Sequence, residues 1–226
     1  MNLTLQTIAS PIISEILADS QLDGVVLDTE HGCFNNETLY SCIQVITLLN
    51  KKCFVRVTDF DKQLIRMCLD ANVDGIIFST YEDDFDGYKL ISYCNYPIAG
   101  NRGCGLVREN KWGKEKLCQK KPILIAQIET VKAVESIETI SKIPFDYFLI
   151  GPYDLSSSLG IAGQFENSSF KNYVDLIYKN IDLKKLGLFL PTFENMKTID
   201  YLRKPELIIW GMDTNFLTYG ISKIKI

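Results

Sequence analysis

Short apolar runs recur along this chain, and after each one apolar residues return every three or four positions. The runs cover residues 3–8, 24–28, 53–57, 74–78, 122–128, 146–150, 186–190 and 206–210. Most lack strict polar–apolar alternation, as strands buried on both faces should. The segments between them carry helical period over residues 11–18, 37–49, 62–71, 83–93, 131–141, 168–181, 193–202 and 214–221. In the second of these, Leu39, Cys42, Ile43, Ile46 and Leu49 share one helix face. Asp59 or Asp61 and Thr130 stand where helix N-caps are expected.

Eight strand–helix units in 226 residues predict a single α/β domain over residues 1–226, a (β/α)8 TIM barrel. A doubly wound open sheet is the alternative. It would normally carry a glycine-rich phosphate loop after its first strand, and Ile8-Ala9-Ser10-Pro11 is not one. The longest irregular piece, residues 96–121, is rich in Gly, Asn and Lys, and long loops of that kind are often functional.

Composition narrows the functional classes. The chain is 46% hydrophobic and 23% charged with a net charge of -4, a globular balance without the electrostatic footprint of nucleic-acid binding. The nearest basic cluster, Lys111, Lys114, Lys116, Lys120 and Lys121, is broken by Glu115 and reads as a solvated loop. The seven cysteines form no CxxC pair, so neither a disulfide framework nor a zinc knuckle is expected. No stretch has the length of a membrane span, and no basic-then-apolar leader is seen, so a cytoplasmic setting without membrane contact is the expectation.

In a barrel of this type, active-site groups come from the C-terminal ends of the strands. Those positions hold Asp28, Glu30 and His31 after the second run, Arg56 in the third, Gln127 and Glu129 at the fifth, and Gly151, Tyr153 and Asp154 after the sixth. His31, the chain's single histidine, is the side chain best suited to move a proton near neutral pH. Two carboxylates without thiols favour a hard divalent ion, Mg²⁺ or Mn²⁺. Plain structural roles compete at each position: a core histidine, a buried ion pair for Arg56, a helix-starting acid for Glu129, an N-cap for Asp154. Their convergence on one barrel mouth favours a site.

These residues fall in motifs that resemble the HpcH/HpaI aldolase family, the metal-dependent (class II) pyruvate aldolases. The matching pieces are Asp28-Thr29-Glu30-His31-Gly32, Val55-Arg56-Val57, Leu69-Asp70, Gly100-Asn101-Arg102-Gly103, Gln127-Ile128-Glu129-Thr130, Gly151-Pro152-Tyr153-Asp154-Leu155-Ser156 and Gly211-Met212-Asp213. The resemblance implies that Glu129 and Asp154 ligate the metal, with Co²⁺ a further option, and that Arg56 steadies the enolate. It implies His31 as the acid–base group, acting through a metal-bound water, with Asp28 orienting its ring. Gln127, Gly151 and Tyr153 would lie at the bound keto acid, and Asp70 would reach a neighbouring subunit's site in a homotrimer or hexamer. The implied reaction is reversible aldol cleavage of a 4-hydroxy-2-oxo acid to pyruvate and an aldehyde. Related lyases acting on a CoA thioester or a phosphoenolpyruvate-type substrate, and an inactive barrel serving as an assembly subunit, are the alternatives. The sequence departs from the family pattern at Asn72, where a glycine is usual, at Ser79-Thr80, and at Leu106.

Overall fold

In the computed structural model, which describes residues 1–58, 60–82, 84–116, 121–190, 202 and 205–224, eight parallel strands close into a barrel in chain order. They are β1 (Asn2–Gln6), β2 (Gly24–Asp28), β3 (Lys52–Val57), β4 (Gly75–Phe78), β5 (Ile123–Ile128), β6 (Tyr147–Ile150), β7 (Leu186–Leu190) and β8 (Leu207–Met212). Every expected run forms a strand, and closure of β8 on β1 excludes the open doubly wound sheet.

The period of two sorts each strand between two cores. Leu3, Leu5, Val26, Phe54, Ile77, Ile125, Leu149, Leu207 and Ile209 fill the barrel interior. Their neighbours in sequence, such as Val25, Leu27, Val55, Ile76, Phe78 and Leu124, face the surrounding helices. One further step of two from Val26, Phe54, Ile125 and Leu149 reaches Asp28, Arg56, Gln127 and Gly151 at the C-terminal end. The interior therefore changes from apolar to polar within a single layer.

The helices are α1 (Pro11–Ala18), α2 (Asn36–Leu48), α3 (Lys62–Asp70), α4 (Asp84–Cys94), α5 (Val131–Glu135), α6 (Ile137–Ile140), α7 (Pro152–Ser158), α8 (Ser168–Asn180) and α9 (Asp213–Ser222). The helix expected over residues 131–141 is two pieces, interrupted at Ser136. The one expected over residues 193–202 lies, Leu202 apart, outside the described residues. Asp61 caps α3 by accepting from the Gln63 and Leu64 amides, and Thr130 caps α5 by accepting from Ala133. Asp59 lies outside the described residues. On α2, Leu39, Cys42, Ile43 and Ile46 are buried, but Leu49 falls just past the helix end and is exposed.

Two devices pin the irregular parts. Asp213, buried at the end of β8, accepts from the Thr7 and Ile8 amides and from the Thr7 hydroxyl, tying β8 to the end of β1. The Arg102 guanidinium is buried against Asp70 (2.8 Å) and Glu109 (2.5 Å) and stacks on the Tyr96 ring, which fastens the long loop after α4 to the end of α3. Lys111 in that loop pairs with Glu115 in solvent, as a solvated basic segment should. The described cysteines are free thiols. Among the described residues no helix is long and apolar enough to cross a membrane.

Candidate active site

The C-terminal mouth of the barrel holds a pocket of about 640 Å³. Asp28, His31, Arg56, Gly151, Tyr153 and Asp154 line it together with an apolar wall. A smaller recess of about 320 Å³ shares His31 and Asp154 with it and adds Glu30, Thr80 and Glu129. Seven of the nine sequence-derived site residues thus meet at one end of the barrel; Gln127 and Asp70 do not line either space.

Register builds the centre of the site. Asp28 on β2 pairs with Arg56 on β3, so the two side chains leave adjacent strands toward the same face. Arg56 donates through Nε to Asp28 Oδ1 and through Nη2 to Asp28 Oδ2, both at 2.8 Å. Both partners are buried, and Glu30 adds a second carboxylate 3.2 Å from Nη1. Burial opposes the Arg56 charge, but Asp28, Glu30 and Glu129 outweigh it and hold the guanidinium more firmly protonated than usual. A fork of this kind uses two of the five arginine N–H donors and fixes the plane of the rest.

That fork changes one expectation. Asp28 was expected to orient the His31 ring, yet its oxygens are engaged by Arg56 and by the Glu30 amide. His31 is exposed at the mouth and makes no hydrogen bond among the described residues. The strand's register decides the difference: Asp28 is the last inward residue of β2, whereas His31 stands three residues on, in the turn.

Glu129 is 4% exposed, just past β5. Its Oε1 accepts from the Thr80 amide at 2.6 Å and from the Thr80 hydroxyl at 3.1 Å, while Oε2 accepts from the Gln127 amide group. Burial, with the Asp154 and Glu30 carboxylates nearby, pushes the Glu129 carboxyl up to about 7, against the Thr80 amide and Arg56. Gly151 is packed over it: a Cβ there would stand 3.0 Å from Glu129 Oε2. Gln127, expected to touch the keto acid, is fully buried beneath Glu129, and its Oε1 has no hydrogen-bond partner. Asp154 is exposed in the first turn of α7. Asp70 closes α3 at the opposite end of the barrel, paired with Arg102.

The donor set fits a divalent cation. Glu129 and Asp154 are hard oxygen donors around one recess, and burial, with the Asp154 carboxylate adding to it, raises the Glu129 carboxyl that a cation would offset. Among the described residues no group of three or more His, Cys, Asp or Glu side chains forms a ready cage. Two protein ligands would leave positions open for substrate and water.

A family model described as HpcH/HpaI aldolase/citrate lyase matches residues 6–177, most of the chain. The chain belongs to the HpcH/HpaI aldolase/citrate lyase family. Among curated relatives, the 2-keto-3-deoxy-L-rhamnonate aldolase of Salmonella gallinarum (strain 287/91 / NCTC 13346) is 26% identical over 223 residues, covering 93% of this chain and 78% of the relative. Among solved structures, an HpcH/HpaI aldolase/citrate lyase family protein from Burkholderia cenocepacia J2315 superposes with a TM-score of 0.88 at 20% identity, covering 99% of this chain and 92% of that one. The citrate synthase SbnG superposes with a TM-score of 0.84 at 25% identity, covering 98% and 89%. Within this HpcH/HpaI barrel, sequence reasoning missed Thr80 as a partner of Glu129 and Asp213 as the clasp of the barrel seam. The first had a signal, since Ser79-Thr80 departs from the family pattern; the second stood in a matched motif without an assigned role.

Proposed function

We propose that this protein is a divalent-metal-dependent carbon–carbon lyase that reversibly cleaves a 4-hydroxy-2-oxo acid to pyruvate and an aldehyde. The supporting observation is the meeting of Arg56, His31, Glu129 and Asp154 at the ends of four strands around one pocket mouth. The similarity to an aldolase named for a 2-keto-3-deoxy acid supports the same reaction class.

The chain's own groups divide the work. Arg56, held flat by Asp28, presents its remaining N–H donors where negative charge develops on the 2-oxo oxygen. His31 takes the proton of the 4-hydroxyl as the C3–C4 bond breaks. The bonding electron pair becomes the pyruvate enolate, C4 leaves as the aldehyde carbonyl, and C3 then takes the proton that His31 holds, giving pyruvate and returning the base. Glu129 and Asp154 would hold the cation, Mg²⁺ or Mn²⁺ in first place and Co²⁺ as a further choice. Bound there, it would supply the electrophilic sink that a Schiff-base lysine supplies in other aldolases. Gly151 and Tyr153 border the place for the acid's carboxylate, and Gln127 keeps Glu129 turned toward the recess. Asp70 would serve a neighbouring subunit only in a homo-oligomer, a trimer or hexamer, and light scattering that gives a monomer removes that role.

Exchange of the pyruvate methyl protons into D₂O, followed by NMR, tests the enolate step without knowledge of the aldehyde. Exchange that needs Mg²⁺ or Mn²⁺, stops with EDTA and falls by about 10²-fold or more in His31→Ala is the expected result. Well-folded protein that exchanges nothing with any divalent ion would sink the proposal. The likeness to the citrate synthase SbnG favours one second reading, a lyase using a CoA-thioester or phosphoenolpyruvate-type substrate. Titration with such donors in place of pyruvate separates the two.

A further inference from the structure

The pocket has two chemically different arcs. Its charged groups come from β2 and the turn after it, from β3, and from the first turn of α7: Asp28, His31, Arg56 and Asp154. The rest of the lining comes from β7, β8 and β1, three strands adjacent in the closed barrel between β6 and β2, and from the loop before α8. There Leu5, Phe165, Phe189 and Met212 form the wall. Phe189 and Met212 pack down onto the apolar barrel interior while remaining partly open above it.

Among the described residues, the polar groups on that arc are already engaged. The Thr7 hydroxyl donates to Asp213, and Asp213 is buried on the Thr7 and Ile8 amides. Among the described residues lining the pocket, Arg56 is the one arginine, no lysine is present, and the Arg56 fork is closed on Asp28. A carboxylate or phosphate placed against the Phe189 arc would lose water and gain no partner among the described residues, which is strongly unfavourable. An alkyl or aryl group there would gain hydrophobic burial instead. A pocket of about 640 Å³ is also within the usual size range for whole small-molecule ligands, so the acid end alone does not define it.

Resting on the aldolase reading above, we infer that the substrate's C4 substituent, and hence the aldehyde released, is uncharged and apolar, an alkyl or aryl aldehyde selected by Phe189 and Met212. In the balanced reaction, a 4-hydroxy-2-oxo acid with an apolar C4 substituent gives pyruvate and that aldehyde, with the 4-hydroxyl proton passing to His31 and C3 taking up one proton. Phe189 is the principal specificity residue, because it is a partly open aromatic of the wall on β7, the strand that lies four places from Arg56's β3 in the closed barrel.

The test is a panel in the synthetic direction with pyruvate and Mn²⁺: butanal and benzaldehyde against glyoxylate, succinic semialdehyde and glyceraldehyde 3-phosphate. The expected kcat/KM for the apolar members is at least about tenfold above the charged ones. In Phe189→Lys, and in the milder Phe189→Gln should the first not fold, the ratio moves toward the polar and charged aldehydes by about tenfold or more. Each ratio is normalised to the same variant's pyruvate proton exchange. Exchange with a charged aldehyde preferred, or with no discrimination, overturns the inference and leaves the aldolase reading standing. Absence of exchange in the folded wild type overturns both.

Discussion

Thr80 holds Glu129 twice, through its backbone amide and its hydroxyl, and it does so from the left-handed region at φ 49°. A β-branched residue rarely adopts that conformation, and such strain costs on the order of 1–3 kcal/mol. Here it turns both donors toward one buried carboxylate oxygen. Thr80→Val keeps the amide bond and removes the hydroxyl bond, so proton exchange should fall by about tenfold with the fold intact. Thr80→Gly relieves the backbone while losing the hydroxyl, so its stability should stay within about 1 kcal/mol of wild type as its exchange falls. Circular dichroism melts beside NMR exchange rates check both. A Thr80→Val protein with wild-type exchange would leave Thr80 a purely structural residue.

Glu129 makes the stability of the metal-free protein pH-dependent in a stated direction. Its carboxyl rises from 4.5 to about 7 on folding, so between those values the folded state binds more protons than the unfolded state. Stability from this group is present at the acid end of the window and lost as pH climbs through about 7. The full change from 4.5 to about 7 corresponds to on the order of 3 kcal/mol. Denaturant unfolding of EDTA-treated protein should show that decline, and Glu129→Gln should flatten it.

A divalent cation should act in the opposite sense on the same pair. Held between Glu129 and Asp154, it competes with the proton on Glu129, so its stabilisation should be larger at pH 8 than at pH 5.5. Thermal shifts with Mn²⁺ at the two pH values measure this. Asp154→Asn and Glu129→Gln should each remove most of the shift. Equal shifts in both variants and wild type would place the cation elsewhere.

The barrel was legible because its evidence is repeated: eight apolar runs of strand length, spaced by helices, leave few architectures open. Asp28, Arg56 and Gly151 were legible for a related reason, since a period of two carries each strand's interior residues straight to the mouth. Pairing between side chains was not legible. Nothing in the order Asp28-Thr29-Glu30-His31 says whether Asp28 serves the histidine or the arginine; the β2–β3 register decides it, and register is a property of two strands. The reach of Thr80 from the end of β4 to Glu129 is likewise a relation across the sheet.

Asn72 shows how a departure from a pattern can conform to its physics. It sits just beyond the C-cap of α3 at φ 70°, where glycine is the usual residue because it has no Cβ to clash. Asparagine is the side chain that best tolerates this conformation after glycine. Asn72→Gly should therefore be neutral or stabilising by a few tenths of a kcal/mol, whereas Asn72→Val should cost about 1–2 kcal/mol. Urea denaturation distinguishes them, and equal stability of the two variants would contradict the account.

Arg56 and Asp28 are coupled so closely that their variants should separate stability from catalysis. Asp28→Ala leaves a buried guanidinium with Glu30 as its remaining ion pair, and breaking a buried pair this way costs about 3–5 kcal/mol. Arg56→Lys preserves one positive charge against Asp28, so it should be milder in stability. It cannot form the fork or hold donors in the plane toward the 2-oxo oxygen, so its exchange rate should fall by about 10²-fold or more. Arg56→Lys that melts like wild type and exchanges at a wild-type rate would reduce Arg56 to a structural partner of Asp28. A protein that melts near wild type while exchange collapses would show that the fork's geometry, rather than its charge, serves the reaction.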